Sequence, residues 1–259
     1  MIPKNHPRYH SLVTREELIK HFEAGVVARA GLIAHGRGEA FDYLIGEETI
    51  EPALRAIRAA ACALLLADRP VISVNGNAAA LAGEWIVKLA AVVNAKIEVN
   101  LFYRTKEREK TIESLLKSLG AREVLGVDER FQVTIPELMS ERRRVDSRGI
   151  LIADVVLVPL EDGDRTEALR RMGKTVIAID LNPLSRTARA ASITIVDNVV
   201  RAMPKLVEEA SRLKQMPRDE LRSILSSYDN NVVLSEVLEY MANRLRKLVE
   251  ETPKAWSKR

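Results

Sequence analysis

Three short apolar runs dominate the second half of the chain. They are Ile150–Pro159 (ILIADVVLVP), Thr175–Leu181 (TVIAIDL) and Ser192–Asp197 (SITIVD), each rich in β-branched residues and bounded by turn-forming residues. This pattern is typical of strands buried on both faces of a parallel sheet. Polar residues follow each run, and ligands of open α/β sheets bind beyond the carboxyl ends of the strands. The pattern therefore predicts a functional edge at which these strands end.

Further strands alternate with helices upstream of these runs. Strands are predicted at Pro70–Val74, Lys96–Tyr103 and Glu123–Val127. Helices are predicted at Ala78–Val93, Thr105–Leu119 and Asp164–Met172. The segment Phe131–Val145 is expected to be irregular or weakly helical. Alternation at this spacing indicates right-handed crossovers between parallel strands. The predicted fold class is α/β, with a Rossmann-like, doubly wound, mostly parallel sheet.

Helical sequence flanks the predicted sheet on both sides. Thr14 and Glu17 form a capping box that predicts a helix to about Arg29, a glycine-punctuated turn at His35–Leu44 leads into a second helix, and Thr49 opens a third. Three more helices are predicted at Pro204–Leu213, Pro217–Ser227 and Asn230–Glu250. We expect one domain over residues 1–259, with a helical part at 1–68, a sheet core at 69–198 and C-terminal helices at 199–259.

Composition narrows the class of protein. The 259 residues are 47% hydrophobic and 29% charged, which are globular values. The longest apolar run, Ala59–Ala67, is too short to cross a bilayer, and no secretory signal opens the chain, so a cytoplasmic protein without a membrane partner is expected. The net charge of +4 is mixed in sign, which argues against a nucleic-acid partner, and the run Glu141–Arg144 is interpreted as a solvated face. A single cysteine, Cys62, excludes an internal disulfide.

Two groups of residues in the first half of the sheet are candidates for anion binding. Asn75, Gly76 and Asn77 lie between a strand and a helix, where backbone N–H groups favour an anion; an ordinary turn is the alternative. Arg104 and Arg108 follow the next strand four residues apart, so that two guanidinium groups on one helix face suit a phosphate. The alternative is a pair of surface arginines.

The later strand ends supply carboxylates, amides and hydroxyls. Glu161, Asp162 and Asp164 follow Pro159, and acidic residues beside a polyphosphate usually hold Mg²⁺, although Asp164 is also placed to cap a helix with Glu167. The next two ends carry groups suited to a ribose, a purine and a phosphate, namely Asp180, Leu181, Asn182, Ser185, Arg186, Asp197 and Asn198. No GxSxG or HExxH motif is present, and the four histidines do not indicate a metal site or a general base.

Long motifs resemble a known family along essentially the whole chain. They are HPRY-SL-RE (His6–Glu16), GRGEAFDYLIGE (Gly36–Glu47), VNGN (Val74–Asn77), NLFYRT (Asn100–Thr105), VPLEDGDRTEAL (Val158–Leu169), IDLNPLSRTA (Ile179–Ala188) and DNVVRAMP (Asp197–Pro204). The chain resembles the archaeal-type 4-phosphopantoate–β-alanine ligases, also called phosphopantothenate synthetases. The resemblance implies that 4-phosphopantoate, β-alanine and ATP give 4′-phosphopantothenate, AMP and diphosphate in coenzyme A biosynthesis. It also implies Mg²⁺ as the metal and a homodimer.

The resemblance also implies roles for individual residues. ATP contacts fall on Arg15, Arg37, Asp180, Leu181, Asn182, Ser185, Arg186, Asp197 and Asn198. With the capping box at Thr14, Arg15 occupies the first position of a helix, where a cation is unfavourable unless an anionic ligand offsets it. We assign Asn75, Asn77, Arg104 and Arg108 to phosphopantoate. Asp162 is taken as catalytic, and Asp162 with Asp164 as the Mg²⁺ ligands.

Three alternatives stay open at the level of sequence. The carboxylate can be activated as an acyl adenylate, which releases diphosphate, or as an acyl phosphate, which releases ADP; the absence of a Walker loop favours the adenylate. The second alternative is a non-catalytic nucleotide sensor built on the same fold. Release of AMP would distinguish a ligase from such a sensor. An NAD-dependent oxidoreductase is the third alternative, against which the missing GxGxxG argues.

Overall fold

A five-stranded parallel sheet forms the centre of the molecule, in a computed structural model that describes residues 2–160 and 162–256. In chain order its strands are β1 (Pro70–Val74), β2 (Lys96–Val99), β5 (Val155–Pro159), β6 (Thr175–Ile179) and β7 (Ile193–Ile195). Their spatial order is β2-β1-β5-β6-β7, and every neighbouring pair is parallel. The chain changes direction across the sheet between β1 and β5, which creates the crevice where doubly wound folds bind ligands. The predicted fold class is confirmed.

Ten helices of the described chain surround the sheet. They are α1 (Tyr9–Glu23), α2 (Arg29–Ile45), α3 (Glu51–Leu66), α4 (Gly76–Val93), α5 (Lys106–Ser118), α6 (Gly163–Arg171), α7 (Arg186–Ala190), α8 (Val199–Leu213), α9 (Arg218–Ser226) and α10 (Asn230–Trp256). A small antiparallel ribbon pairs β3 (Gln132–Thr134) with β4 (Arg144–Asp146).

Alternate side chains of the strands enter two different cores. Residues such as Ile72, Leu157 and Ile177 pack on one face of the sheet with α3, α4 and α8. Their neighbours Val71 and Val156 point to the other face, where α6 and the segment from the ribbon to β5 cover them. Because both faces are covered, β5 and β6 are apolar along almost their whole length, as the runs in the sequence predicted.

The N-terminal helices differ from the sequence prediction. Helix α1 begins at Tyr9, and the Thr14 hydroxyl donates to the His10 carbonyl oxygen at 2.9 Å inside the helix, so the capping box at Thr14 is wrong. Helix α2 runs unbroken through the predicted turn at His35–Leu44. Its glycines at 31, 36 and 38 have helical backbones, because tertiary packing outweighs their low helix propensity.

The region between β2 and β5 also differs. Residues 123–127 form only an isolated bridge between Glu98 and Leu125, so the predicted strand is wrong. Residues 132–146, expected to be irregular or helical, form the β3–β4 ribbon with a 3₁₀ turn at Glu141–Arg143. The ribbon is fixed to the sheet by Glu98, whose carboxylate accepts the N–H groups of Asp146 at 2.9 Å and Ile150 at 2.6 Å.

Helix α4 has the length and apolar composition of a membrane span, with a mean hydropathy of 1.3 over 18 residues. Half of it is buried inside the molecule, where it packs against α1, α5, α8 and the sheet. Its apolar character is therefore that of a core helix between layers.

Candidate active site

A cavity of about 750 Å³ lies at the carboxyl ends of the strands. The ends of β1, β5 and β6, the first turns of α4, α6, α7 and α8, and the length of α2 line it. The predicted site residues that line it are Arg37, Asn75, Asn77, Arg108, Asp162, Asp164, Asp180, Leu181, Asn182, Ser185, Arg186 and Asn198. The edge predicted from sequence is thus a single cavity with most of the candidates around it.

Asn75 bridges the two strands where the sheet changes direction. Its side-chain N–H group donates to the carbonyl oxygens of Pro159 at 3.0 Å and Leu160 at 2.9 Å, at the end of β5. Its oxygen accepts the N–H of Ala78 at 3.0 Å and caps α4. Both ends of the amide are occupied, so Asn75 shapes the crevice and aims the first turn of α4 into it.

Four helix N-termini surround the cavity. Asn75, Ser185 and Asn198 cap α4, α7 and α8 with side-chain oxygens, and α6 begins beside them at Gly163. Each N-terminus carries partial positive charge, and those of α4, α6 and α8 belong to helices of nine or more residues. Their convergence favours an anionic ligand with several charged groups.

Arg108 lines the cavity beside the N-terminus of α4. Its guanidinium donates to the carbonyl oxygens of Tyr103 and, at 3.1 Å, of Val26, and its Nε is buried without a partner among the described residues. Burial lowers the pKa of this side chain. Since the acceptors that hold it are uncharged, its positive charge is available to an anion in the cavity.

Arg104 lies outside the lining of the cavity. Its side chain is almost fully buried in an ion pair with Glu109, and it donates to the carbonyl oxygens of Arg144 at 2.9 Å and Gly126 at 2.7 Å. Because α5 begins at Lys106, the prediction that Arg104 and Arg108 share one helix face is wrong. Arg104 anchors the ribbon to the end of β2.

The end of β6 forms a compact polar loop. The Asp180 carboxylate accepts the Ser185 hydroxyl at 2.5 Å and the Asn182 N–H at 2.9 Å, and Ser185 in turn caps α7. Burial raises the pKa of Asp180, and these two hydrogen bonds and the charge of Arg37 oppose the shift. Leu181, between Asp180 and Asn182 in the chain, is buried against Gly38 of α2. The loop presents a carboxylate, an amide and an apolar side chain together.

The end of β7 places Asn198 and Asp197 differently. Asn198 lines the cavity, and its amide donates to Asp42 of α2 at 2.8 Å. Asp197 is fully buried, outside the lining, where it accepts Thr49 at 2.7 Å and Arg201 at 2.9 Å. Burial raises the pKa of Asp197. Its carboxylate is occupied by protein groups, which position the neighbouring Asn198.

The three arginines predicted to contact ATP occupy different environments. Arg37 is exposed on α2 and lines the cavity. Arg186 lines it too, but pairs with Asp164 at 2.6 Å and Glu167 at 3.0 Å. Arg15 is the seventh residue of α1 and pairs with Glu39 of α2 at 2.7 Å, outside the lining. Arg15 therefore does not occupy the unfavourable first helical position that the sequence predicted.

Asp162 and Asp164 are the residues predicted to hold Mg²⁺. Asp162 lies 3.0 Å from Arg142, and Asp164 pairs with Arg186. Asp162 is the N-cap residue of α6 without a side-chain cap hydrogen bond, so the Asp164–Glu167 capping box is wrong. Residues 2–160 and 162–256 contain no group of three His, Cys, Asp or Glu side chains that could hold a metal. The candidate Glu161 lies outside the described residues.

Two lining residues were missed from sequence. Arg142 is only 6% exposed, so its interpretation as part of a solvated face is wrong; the ribbon folds it into the cavity, which no local pattern indicates. His35 lines the cavity from α2. Gly31, His35 and Gly38 repeat at helical spacing, and this face of small residues around a histidine was a usable signal of close packing.

Fold and cavity together define an α/β protein of the doubly wound class, with a cavity at the switch point of the sheet that suits a multiply charged anionic ligand. The model of the phosphopantothenate/pantothenate synthetase family matches residues 52–244. The chain belongs to this family.

Similarity to proteins named 4-phosphopantoate–β-alanine ligase extends over nearly the whole chain. It is 60% identical over 251 residues to the 4-phosphopantoate–β-alanine ligase of Thermococcus kodakarensis, covering 96% of this chain and 95% of that protein. The ligase of the same name from Methanosarcina mazei is 52% identical, with 97% and 98% covered. That of Methanospirillum hungatei is 49% identical, with 96% and 100% covered.

Proposed function

We propose that the chain is an ATP-dependent ligase that joins 4-phosphopantoate to β-alanine and releases AMP and diphosphate. The observation that carries the proposal is the cavity: four helix N-termini and arginines from separate elements surround it, as a ligand pair with several phosphates requires. The identity of 49–60% to ligases of this name supports the choice of substrates. The product lies on the route to coenzyme A, and we propose a cytoplasmic enzyme.

Two subsites divide the cavity. The Asp180–Ser185 loop and Asn198 suit the nucleoside, since a carboxylate accepts ribose hydroxyls and amides recognise a purine edge. Asn77, Arg108 and the N-terminus of α4 suit the phosphate of phosphopantoate at the other end. The carboxylate of phosphopantoate then lies between the two subsites, facing the first phosphate of ATP.

The carboxylate of phosphopantoate must be activated before an amine can attack it, because the oxygen that has to leave a free carboxylate is a poor leaving group. Its oxygen attacks the α-phosphorus of ATP, diphosphate leaves, and the acyl adenylate is then opened by the amine of β-alanine. The protein aligns the reactants and stabilises the charge that builds on the phosphates. Arg37 and Arg186 line the nucleotide side and are placed for this task. Arg15 acts indirectly, because its pair with Glu39 fixes α1 to α2.

Magnesium fits this site as a partner of the nucleotide. Mg²⁺ is usually held by one or two carboxylates together with substrate phosphates rather than by an all-protein cage. Asp162 and Asp164 of the α6 N-terminus, which line the cavity, would hold it. When bound, the ion neutralises phosphate charge.

Product analysis tests the reaction. Purified protein is incubated with ATP, Mg²⁺, 4-phosphopantoate and β-alanine, and AMP with 4′-phosphopantothenate is expected. Nucleotide binding without AMP release would indicate a sensor, and nicotinamide-dependent redox activity an oxidoreductase. Heavy oxygen in the phosphopantoate carboxylate then separates the routes. Label in AMP supports the adenylate; label in inorganic phosphate with ADP would overturn it and leave the ligase standing.

We also propose a homodimer. The sequence suggests the apolar faces Leu64–Leu65 and Val232–Leu234 for a contact between subunits. The structure buries Leu64, Val233 and Leu234 within the chain, leaves Leu65 half-buried and exposes only Val232, at 51%. Helix α10 instead exposes Leu238, Leu245 and Val249, with exposed fractions of 37%, 42% and 72%, at the spacing of one helix face. Such a stripe suits a two-fold contact. Sedimentation is expected to give a dimer at micromolar concentration, a monomer for Leu245→Glu, and no change for the exposed-lysine control Lys247→Glu.

A further inference from the structure

One side of helix α2 lies across the carboxyl edge of the sheet. At one end the Gly31 carbonyl oxygen accepts the Asn77 amide at 2.8 Å, and a Cβ on Gly31 would come within 2.2 Å of Asn77. Further along, a Cβ on Gly38 would lie 3.7 Å from Leu181. The helix therefore runs from the phosphopantoate subsite at β1 to the nucleotide subsite at β6.

His35 lies on this side of α2, between the two contacts. With a rise of about 1.5 Å per residue, it is about 6 Å along the axis from Gly31 and about 4.5 Å from Gly38. Strands β1 and β6 are separated by β5, so they lie roughly 10 Å apart. The two contacts of α2 are thus spaced along the helix about as far apart as the ends of β1 and β6 are, which places His35 near the end of β5, between the two subsites.

The imidazole lines the cavity and has an unused nitrogen. Nε2 of His35 is shielded from solvent and has no hydrogen-bond partner among the described residues. A buried nitrogen without a hydrogen-bond partner destabilises the free protein, and a ligand that supplies the missing hydrogen bond recovers this loss. This arrangement suits a group that meets its partner only when the substrates are bound.

The ligase reaction needs a base at this position. β-Alanine enters as an ammonium ion, which has no lone pair for attack on the acyl carbon. The carboxylates that line the cavity are already occupied: Asp162 lies 3.0 Å from Arg142, Asp164 pairs with Arg186, and Asp180 accepts Ser185 and Asn182. Asp162 and Asp164 lie beside arginines, which weaken a carboxylate as a base, and we assign both to Mg²⁺; Asp180 is assigned to the ribose. A neutral imidazole is well matched to proton transfer near neutral pH.

We propose that His35 is the general base that takes a proton from the ammonium group of β-alanine, an inference that rests on the proposed function. The imidazole accepts this proton, and the freed lone pair forms the C–N bond to the acyl carbon. As the C–O bond to AMP breaks, its electron pair leaves with the phosphate. The nitrogen loses its second proton to that phosphate or to water, which leaves a neutral amide and AMP.

The surroundings keep the imidazole neutral before the substrate arrives. Burial lowers the pKa of His35, and Arg15 of α1 lowers it as well, whereas Glu39 and Asp42 on α2 itself raise it. The other charged residues that line the cavity are Arg37, Arg108, Arg142, Asp162, Asp164, Asp180 and Arg186. Because the lowering prevails, the base is available at neutral pH and is lost only under acidic conditions.

The test separates the two half-reactions. Phosphopantoate-dependent exchange of diphosphate into ATP, without β-alanine, measures adenylate formation; amide formation measures the second step. For His35→Gln we expect exchange within about twofold of wild type and amide formation slowed about 10²–10⁴-fold at neutral pH. Hydroxylamine, already unprotonated at neutral pH, should be acylated by the variant at close to the wild-type rate. The control is His21→Gln, a histidine of α1 outside the cavity lining, which should change neither step.

The pH profile supplies a measurement that does not depend on the variant folding. In wild type, kcat/KM for β-alanine should rise through an acid limb and level off near neutrality; in His35→Gln or His35→Asn it should rise tenfold per pH unit into the alkaline range. The assignment of His35 as the base would be overturned if His35→Gln formed the amide as fast as wild type, or if it lost exchange and amide formation equally. A wild-type pH profile without a plateau would also overturn it. Absence of exchange in wild type would instead refute the ligase itself.

Discussion

Asp42 and Arg201 form a two-pronged ion pair although 159 positions separate them in the chain. The guanidinium of Arg201 donates to the Asp42 carboxylate at 2.5 and 3.1 Å and to Asp197 at 2.9 Å. Asn198 completes the cluster by donating to Asp42 at 2.8 Å. One cation thus joins α2, which covers the cavity, to the end of β7 and the first turn of α8.

Breaking this cluster should loosen α2 over the nucleotide subsite. We expect Arg201→Met to lower the free energy of unfolding by about 3–5 kcal/mol, because two buried carboxylates lose their counter-charge, and to raise KM for ATP. Denaturant unfolding and steady-state kinetics measure the two effects. Arg222→Met, in the exposed pair with Asp219, is the control and should cost at most about 1 kcal/mol. Equal effects of both variants would contradict the structural role of Arg201.

Arg104 and Arg108 should separate into a structural and a substrate-binding arginine. Arg108→Ala is expected to raise KM for phosphopantoate about 10- to 100-fold, the equivalent of about 1.5–3 kcal/mol for a charged hydrogen bond, with KM for ATP little changed. Arg104→Ala leaves Glu109 buried without its partner and should lower stability by about 3–5 kcal/mol. Thermal unfolding and substrate titrations distinguish them, and a stable Arg104→Ala enzyme that is defective only in phosphopantoate binding would favour the sequence-based assignment of Arg104 to phosphopantoate.

Two glycines of α2 give a matched pair. Gly31→Ala places a methyl group 2.2 Å from Asn77, so α2 must shift, and we expect lower stability and weaker binding of both substrates. Gly36→Ala meets nothing within 4 Å and should stabilise the helix by up to about 1 kcal/mol. Melting temperature and KM values for the two variants are the measurements. If Gly31→Ala behaves like Gly36→Ala, α2 does not close on Asn77.

Asp180 should recognise the ribose of ATP. We expect Asp180→Asn to raise KM for ATP by about tenfold or more, because a charged acceptor is lost. Deoxy-ATP analogues show whether the interaction is direct: the analogue lacking the bound hydroxyl should bind wild type more weakly but bind the variant nearly as well as ATP does. If the loss of affinity caused by Asp180→Asn and the loss caused by removing the hydroxyl add up, Asp180 does not contact the ribose and only holds the loop through Ser185.

Glu98 should make stability depend on pH. Burial raises the pKa of this carboxyl to about 7, against the opposing effect of the two N–H groups that it accepts. Since the folded-state pKa exceeds the unfolded value, the protonated group stabilises the fold fully below about pH 4.5, and this contribution is lost as the pH rises towards 7. The free energy of unfolding of wild type relative to Glu98→Gln should fall by about 3 kcal/mol over that interval in denaturant titrations. A difference independent of pH would contradict the assignment.

The sequence alone determined the strand–helix alternation and the edge that binds ligands. Fully buried strands such as Val155–Pro159 must be apolar throughout, and parallel strands must end at one edge, so the chain pattern by itself places Asn75, Asp180 and Asn198 together. Helix capping was not determined in this way: the boxes predicted at Thr14 and Asp164 are wrong, and the structure shows side-chain caps at Thr105 and Ser185 instead.

Only the tertiary structure decided which polar side chains are available to a ligand. Arg104 and Arg108 look alike in sequence, yet a buried Glu109 holds one and uncharged carbonyl groups hold the other. Asp197 and Asn198 are adjacent, yet only Asn198 faces the cavity, because Thr49 and Arg201 occupy Asp197. Arg142 and His35 enter the site through a ribbon and a helix that pack across the sheet edge. Some of these partners lie far apart in the chain, as Thr49 and Asp197 do, and others are close, as Arg104 and Glu109 are. Burial and ion pairing, which fix the roles of these side chains, therefore leave no periodic pattern in the chain.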